Sequence, residues 1–190
     1  MKVQKENVGN TETNTMRTHN VVVTAIAGLL ICLVTFTSVR TAFAETVCGV
    51  SSDRLEVYKS RIKPFANEIQ TTLKHFNVDE QFIWLAMIES GGRPNAESNK
   101  GAAGLWQLTA PTSKHYGCPP DKRSDVSCST MAAAKYLAKL LKDFENDHWK
   151  VIVGYNMGGT NYRKSGKPTR AASNLANTVT CLMEEFPYEY

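Results

Sequence analysis

The chain has no long basic run, no Cys-x-x-Cys pair, no internal repeat and no segment with convincing strand alternation. Without a basic run nothing tracks a phosphate backbone, which argues against a nucleic-acid partner. Without closely paired cysteines a structural zinc site lacks ligands at the usual spacing. Without period-two alternation the apolar residues have to be buried by helices, and the fold class read from the sequence is all-α. Charge of neither sign dominates. The 190 residues hold 22 Lys and Arg against 18 Asp and Glu; four basic and two acidic residues fall in 1–44, leaving a net +2 over 45–190.

The longest apolar run stands near the N-terminus. Residues 1–20 are polar, Val21 to Val39 is almost free of polarity, and Arg40 and Thr41 lead to Ala42-Phe43-Ala44. An apolar stretch followed by A-x-A is what a signal peptidase reads, so residues 1–44 are expected to be a signal peptide cleaved after Ala44. Nineteen apolar residues also just suffice to span a bilayer, and an uncleaved anchor is the competing reading. Met16 as the true start would give a signal of more ordinary length. The bulky Ile31 before Cys32 argues against a lipoprotein cysteine. The expected organisation is thus a leader followed by one domain over 45–190, exported to the periplasm or cell envelope.

Export suits the remaining cysteines, Cys48, Cys118, Cys128 and Cys181. An even number in an exported domain implies two disulfides. Three pairings are open. The favoured one joins Cys118 to Cys128 around Pro119-Pro120 and Cys48 to Cys181 across the domain.

Helical spacing predicts a helix opened by Pro64 over Phe65–Phe76, through Phe65, Ile69, Leu73 and Phe76. Asp79 is placed as the N-cap of the next, ending near Ser90. Residues 91–128 read as loop with short helical turns. Ser129 or Thr130 is expected to cap a helix through Phe144 that buries Met131, Ala134, Leu137, Ala138 and Leu141. Asp147 is expected to cap HWKVIVGYN, and Leu175 to Phe186 mark a last helix.

Within the second helix, FIWLAMIESGG poses a chemical problem. Phe82 to Ile88 are apolar all round, which marks a core helix, and Glu89 then takes the next position of the Phe82–Leu85–Ala86 row. If it faces a cleft, desolvation and the negative helix end both raise its pKa. A carboxyl still protonated near neutral pH serves as a general acid. If instead it marks the helix end, it turns into solvent. The sequence physics leaves both readings open.

The residues that follow discriminate. Glu89-Ser90, then Ser98, Gly101, Ala102, Gly104, Leu105, Trp106 and Gln107, and lastly Gly154-Tyr155-Asn156-Met157-Gly158 match three family motifs in order, with Thr112 and Tyr116-Gly117 matching a feature of one branch between the last two. Over roughly residues 78–165 the chain resembles the lytic transglycosylases, enzymes with a goose-lysozyme-like domain, and in particular the branch around the membrane-bound form D.

The resemblance implies a groove for peptidoglycan glycan strands and a single catalytic acid, Glu89. It gives Tyr155 a hydrogen bond to that acid, Asn156 a part in orienting substrate or loop, and Ser90 support of an acetamido or intermediate contact. Ser98 and Gly104 belong to the glycine-rich loop, where backbone can approach a sugar. Gln107 offers donor and acceptor groups, and Trp106 offers either a pyranose platform or a core side chain.

Hydrolases of glycosides ordinarily use two carboxylates, and nothing pairs obviously with Glu89; Glu97 reads as surface, and Asp121 and Asp125 belong to the cysteine loop. A lone acid suits a transglycosylase, in which the C6 hydroxyl of the sugar closes an intramolecular 1,6-anhydro ring. No metal or organic cofactor is implied, and His75, His115 and His148 are scattered. Two alternatives compete: hydrolysis of the lysozyme type, and an idle domain that binds glycan or a secretion apparatus. By analogy, secretion or conjugation machinery is a candidate partner for an exported enzyme of this size. The match is imperfect in three places. Met157 replaces a small residue, Gly154 replaces an alanine, and Cys181 falls near the place of a last-helix tyrosine.

Overall fold

Among the described residues eight helices account for the all-α reading, and one small hairpin departs from it. A computed structural model describes residues 45–189; the expected leader, anchor and cleavage site lie outside the described residues. Among the described residues no helix is long and apolar enough to cross a membrane.

The chain enters through β1 (Thr46–Val47) and β2 (Val50–Ser51), antiparallel with Val47 opposite Val50. Alternation over two residues is too short to leave a pattern in sequence. Helix α1 (Ser52–Ile62) was also invisible, because it buries only Leu55 and Ile62 against the rest. A 3-10 turn, Lys63–Phe65, holds Pro64 and leads into α2 (Ala66–His75). The Asp79 side chain accepts the Gln81 N–H at 2.9 Å, as its cap role requires, and starts the turn that runs into α3 (Ile83–Ser90). Helix α4 (Ala110–His115) is capped by Thr109.

Helix α5 (Val126–Asp143) begins four residues before the earlier of the two expected starts. Asp125 caps it, accepting the Cys128 N–H at 2.8 Å, while Ser129 and Thr130 are buried inside the helix. A carboxylate facing the N-terminal N–H groups is a stronger acceptor than a hydroxyl and also answers the helix dipole. Met131, expected inside, is 45% exposed. Helix α6 (His148–Met157) is capped by Asp147 and stops at Gly158. The polar stretch after it folds into α7 (Gly159–Ser165), and Thr169 then caps α8 (Arg170–Glu185).

Helix α3 is the axis of the packing. Ile83, Trp84, Leu85, Ala86 and Met87 are all buried, because α1, α2 and α8 close around it. Burial of such side chains contributes roughly 1.5–3 kcal/mol each, enough to fix where the helix ends. The C-terminal tail adds a strap: Trp84 Nε1 donates to the Phe186 carbonyl at 3.0 Å, and the Tyr188 N–H to Gln81 Oε1 at 2.6 Å. Helix α6 packs on α5, α7 and α8, and α2 packs on α5.

Both favoured disulfides form. Cys48–Cys181 joins the hairpin turn to α8 over a separation of 133 residues, and Cys118–Cys128 closes one of 10. Loop-closure entropy grows with separation. Replacing Cys48 and Cys181 by alanine should therefore lower stability by about 2–5 kcal/mol in denaturant unfolding, and more than the same change at Cys118 and Cys128.

Candidate active site

Helix α3 ends one residue past Glu89, and the local sequence explains why it ends there. Gly91 takes a left-handed conformation with φ 65°, which a side chain resists, and it lies against the Tyr58 ring. Ser90 is 2% exposed; its hydroxyl donates to the Ala86 carbonyl at 2.8 Å and accepts the Arg93 N–H at 3.2 Å. The expected role for Ser90 on the substrate is thus corrected. Its oxygen is spent on finishing the helix, and it does not line the groove.

Glu89 itself opens into a groove of about 300 Å³. Its side chain meets the groove, but enough protein packs around the carboxyl for burial to push its pKa up to about 7, against a partial lowering by the hydrogen bond of the Asn156 side chain. Its place in the last helical turn adds repulsion from the unpaired carbonyls. Ser98, Gln107, Tyr155 and Asn156 line the same groove, as the motifs required, and Lys100, Thr109, Thr112 and Tyr136 join them. Among these lining residues Glu89 is the sole acid. Glu97 is exposed on the surface, as expected, and Asp125 is occupied as the α5 cap.

Two expected contacts, those of Tyr155 and Gly104, turn out differently, and the open choice at Trp106 is decided for the core. Tyr155 is buried and its hydroxyl donates to the Trp106 carbonyl at 2.7 Å rather than to Glu89. Burial, and then the nearby Glu89 charge, hold its pKa well above the usual tyrosine value, so that proton stays on the phenol. Asn156 makes the contact with the carboxyl instead.

Trp106 is 0% exposed and its indole N–H donates to Thr130 Oγ1 at 2.9 Å, so it is a core side chain and offers no face to a sugar. Gly104, with φ 82°, lies where an added Cβ would stand 1.9 Å from the Arg123 carbonyl oxygen. Its missing side chain admits protein backbone, not substrate.

Arg123 was not singled out in the sequence, yet it shapes the loop that carries Ser98 and Gln107. Its guanidinium donates to the carbonyls of Gly101 at 2.7 Å and Leu108 at 3.0 Å. Within the loop the Ala102 N–H reaches Ser98 Oγ at 3.0 Å, and the Gln107 amide nitrogen reaches the carbonyls of Ala96 and Gly104. Those bonds use the amide donors of Gln107 and leave its oxygen as the group it can offer to the groove.

The motif irregularities have local causes. A Cβ at residue 154 would come within 2.6 Å of the Phe144 ring, which accounts for glycine there. Met157 lies outside the groove lining and receives the Thr169 N–H on its sulfur. Cys181 is consumed by its disulfide, and the tyrosines that line the groove come from α5 as Tyr136 and from α6 as Tyr155. Among the described residues no group of three His, Cys, Asp or Glu is gathered so as to hold an ion. A second depression of about 420 Å³ continues the groove, sharing Thr112 and Tyr136 as its wall.

Comparison with known proteins places this arrangement in context. The Transglycosylase SLT domain matches residues 67–177, more than half of the chain. The membrane-bound lytic murein transglycosylase D of Escherichia coli K12 is 32% identical over 115 residues, 58% of this chain and 25% of that protein. A protein named for tributyltin chloride resistance in Alteromonas sp. strain M-1 is 32% identical over 128 residues, 65% of this chain and 59% of its own length. The peptidoglycan transglycosylase gp16 of phage T7 is 37% identical over 79 residues, 39% of this chain and 6% of its own. The chain thus spans between a twentieth and three-fifths of the relatives it matches.

Two measurements follow from the site. The carboxyl holds its proton to a higher pH in the folded chain than in the unfolded one, from the ordinary 4.5 to about 7. The neutral acid is tolerated at low pH, and stability is lost as pH rises from 4.5 through 7. Glu89→Gln removes that titration, so it should gain thermal stability over the parent above pH 7, on the order of 3 kcal/mol, and little at pH 4.5. Trp106→Phe should cost about 1–3 kcal/mol in unfolding by leaving Thr130 unpaired, with the affinity for glycan unchanged.

Proposed function

Because the chain belongs to the Transglycosylase SLT family, we propose that it is a peptidoglycan lytic transglycosylase with Glu89 as its only acid and base. The observation that carries this reading is a single carboxyl, half-buried and protonated to about pH 7, in a groove with no other acid among its lining residues. The bond cleaved is the β-1,4 link from N-acetylmuramic acid to N-acetylglucosamine.

Glu89 gives its proton to the glycosidic oxygen as that bond breaks. The acetamido group of the substrate stabilises the positive anomeric carbon. Glu89, now a carboxylate held by Asn156, takes the proton of the C6 hydroxyl while its oxygen closes on the anomeric carbon to leave a 1,6-anhydro end. One carboxyl suffices because the nucleophile is already part of the substrate, so no second base has to orient a water. The acid ends the cycle protonated and ready for the next bond.

Other groups in the groove supply position rather than protons. The oxygen of Gln107, the hydroxyls of Ser98, Thr109 and Thr112, and the ammonium of Lys100 face the groove and suit the hydroxyl, acetamido and carboxylate groups of a glycan with its peptide. The continuing depression gives the strand room beyond the cleavage point. In this reading residues 1–44 direct the domain to the cell envelope, with cleavage after Ala44, in keeping with the membrane-bound relatives.

The test is a digest of purified peptidoglycan with the protein and with Glu89→Gln, read as muropeptide masses. Anhydro products from the parent, with turnover reduced at least about a hundredfold in the variant, are expected. Products heavier by one water would make the enzyme a lysozyme, and no release by either protein would favour a binding domain. Activity should also fall as pH rises through about 7, where the acid loses its proton.

A further inference from the structure

Tyr136 forms the wall between the groove and the depression beside it, and its hydroxyl is engaged in an unusual way. It donates to the Gly154 carbonyl at 3.1 Å and accepts the Gly159 N–H at 3.3 Å. The first is among the last four carbonyls of α6 and the second is the first N–H of α7, groups for which a helix has no internal partner. One side chain thus partners one group at each of the two helix ends and straddles Tyr155, Asn156, Met157 and Gly158.

The ring is held as well. It lies 5.1 Å from Tyr116 in a stacked pair and 5.2 Å from Tyr155. The spanned segment has no slack against α5. A Cβ at Gly154 would meet Phe144 at 2.6 Å, and one at Gly159 would meet Leu140 at 2.7 Å. A shift of this segment moves Asn156, whose own side chain is exposed and not confined by core packing.

We propose that Tyr136 is a positioning residue for the reaction: by clamping the end of α6 to the start of α7, its hydroxyl keeps the Asn156 amide on the Glu89 carboxyl. The inference rests on the reading of Glu89 as the acid and deepens it. The Asn156 contact lowers the pKa of Glu89 against the larger effect of burial. Losing the clamp therefore lets it rise further, and the alkaline limb of activity moves up.

Other ionisable groups stand nearby. Lys100 and Tyr155 share the groove with Glu89. Around Tyr136 stand Tyr116 and His115 from α4 and its end, Tyr155 from α6, and Lys139 and Asp143 from α5. Asp143 is paired with both Lys139 and Arg163, and none of these pairs includes the Tyr136 hydroxyl.

The experiment titrates the Glu89 carboxyl carbon by NMR in the parent, Tyr136→Phe, Asn156→Ala and the double variant, alongside pH profiles of kcat/KM on peptidoglycan. Tyr136→Phe keeps the ring and its stacking. It should raise the Glu89 midpoint and the alkaline limb by roughly 0.3–1 pH unit, the equivalent of one ordinary hydrogen bond. Asn156→Ala should do the same, and the double variant should go no further.

A Tyr136→Phe protein with lower thermal stability and an unmoved Glu89 titration would reduce Tyr136 to a packing residue and overturn the proposal. Should that variant not fold, an unmoved titration in Asn156→Ala, a change at an exposed side chain, overturns it equally. The NMR midpoint does not depend on turnover. Shifted midpoints in a protein that never cleaves glycan would uphold the clamp while removing the catalytic reading.

Discussion

Glu89 is half-buried at the wall of a groove, with enough protein around its carboxyl to strip much of its hydration, and the structure around it is organised by the cost of that removal. An ionised carboxylate in such a place loses hydration that only a close partner could replace. The hydrogen bond of the Asn156 side chain comes from a neutral amide and compensates only in part. The acid therefore keeps its proton to about pH 7. Had an arginine or lysine been placed against it, the side chain would have been a stable salt bridge without use as a proton donor.

This constraint reaches back to the packing of α3. A helix apolar on every face needs neighbours on every face, and α1, α2 and α8 supply them together with the C-terminal strap. Their closure fixes the helix end, and Gly91 turns the chain away there. Glu89 is thus at the rim of the core, with protein behind it and the groove ahead. The loop opposite is rigid for a different reason: Arg123 ties two of its carbonyls and Gly104 admits the Arg123 backbone. The two walls of the groove are held by separate parts of the chain.

Much of the fold was legible in the sequence because local signals agreed with one another. The Asp79 and Asp147 caps and the apolar run of α3 depend on residues close together in the chain. Where local signals were weak or rival, the reading slipped. Helix α1 buries too few residues to show a stripe, α7 is polar almost throughout, and Asp125 outcompeted Ser129 and Thr130 as a cap. Of the candidate site residues, Glu89, Ser98, Gln107, Tyr155 and Asn156 meet in the groove, while Ser90, Gly104 and Trp106 serve the scaffold. A tryptophan inside a motif carries no mark that tells a sugar platform from a core ring. The Thr130 hydroxyl that receives its N–H is 24 residues away.

The sequence by itself marked Glu89 and its motif partners as candidates, and determined the helical class and an even set of cysteines, since these follow from residue type and short-range spacing. Tertiary structure decided which partner each polar group takes. Tyr155 gives its proton to the Trp106 carbonyl, Asn156 meets Glu89, and Tyr136, 47 residues from the acid in sequence, lines the same groove. The physical reason is that a hydrogen bond needs about 3 Å and a favourable angle, and those are set by how α3, α5 and α6 pack, which no local pattern records.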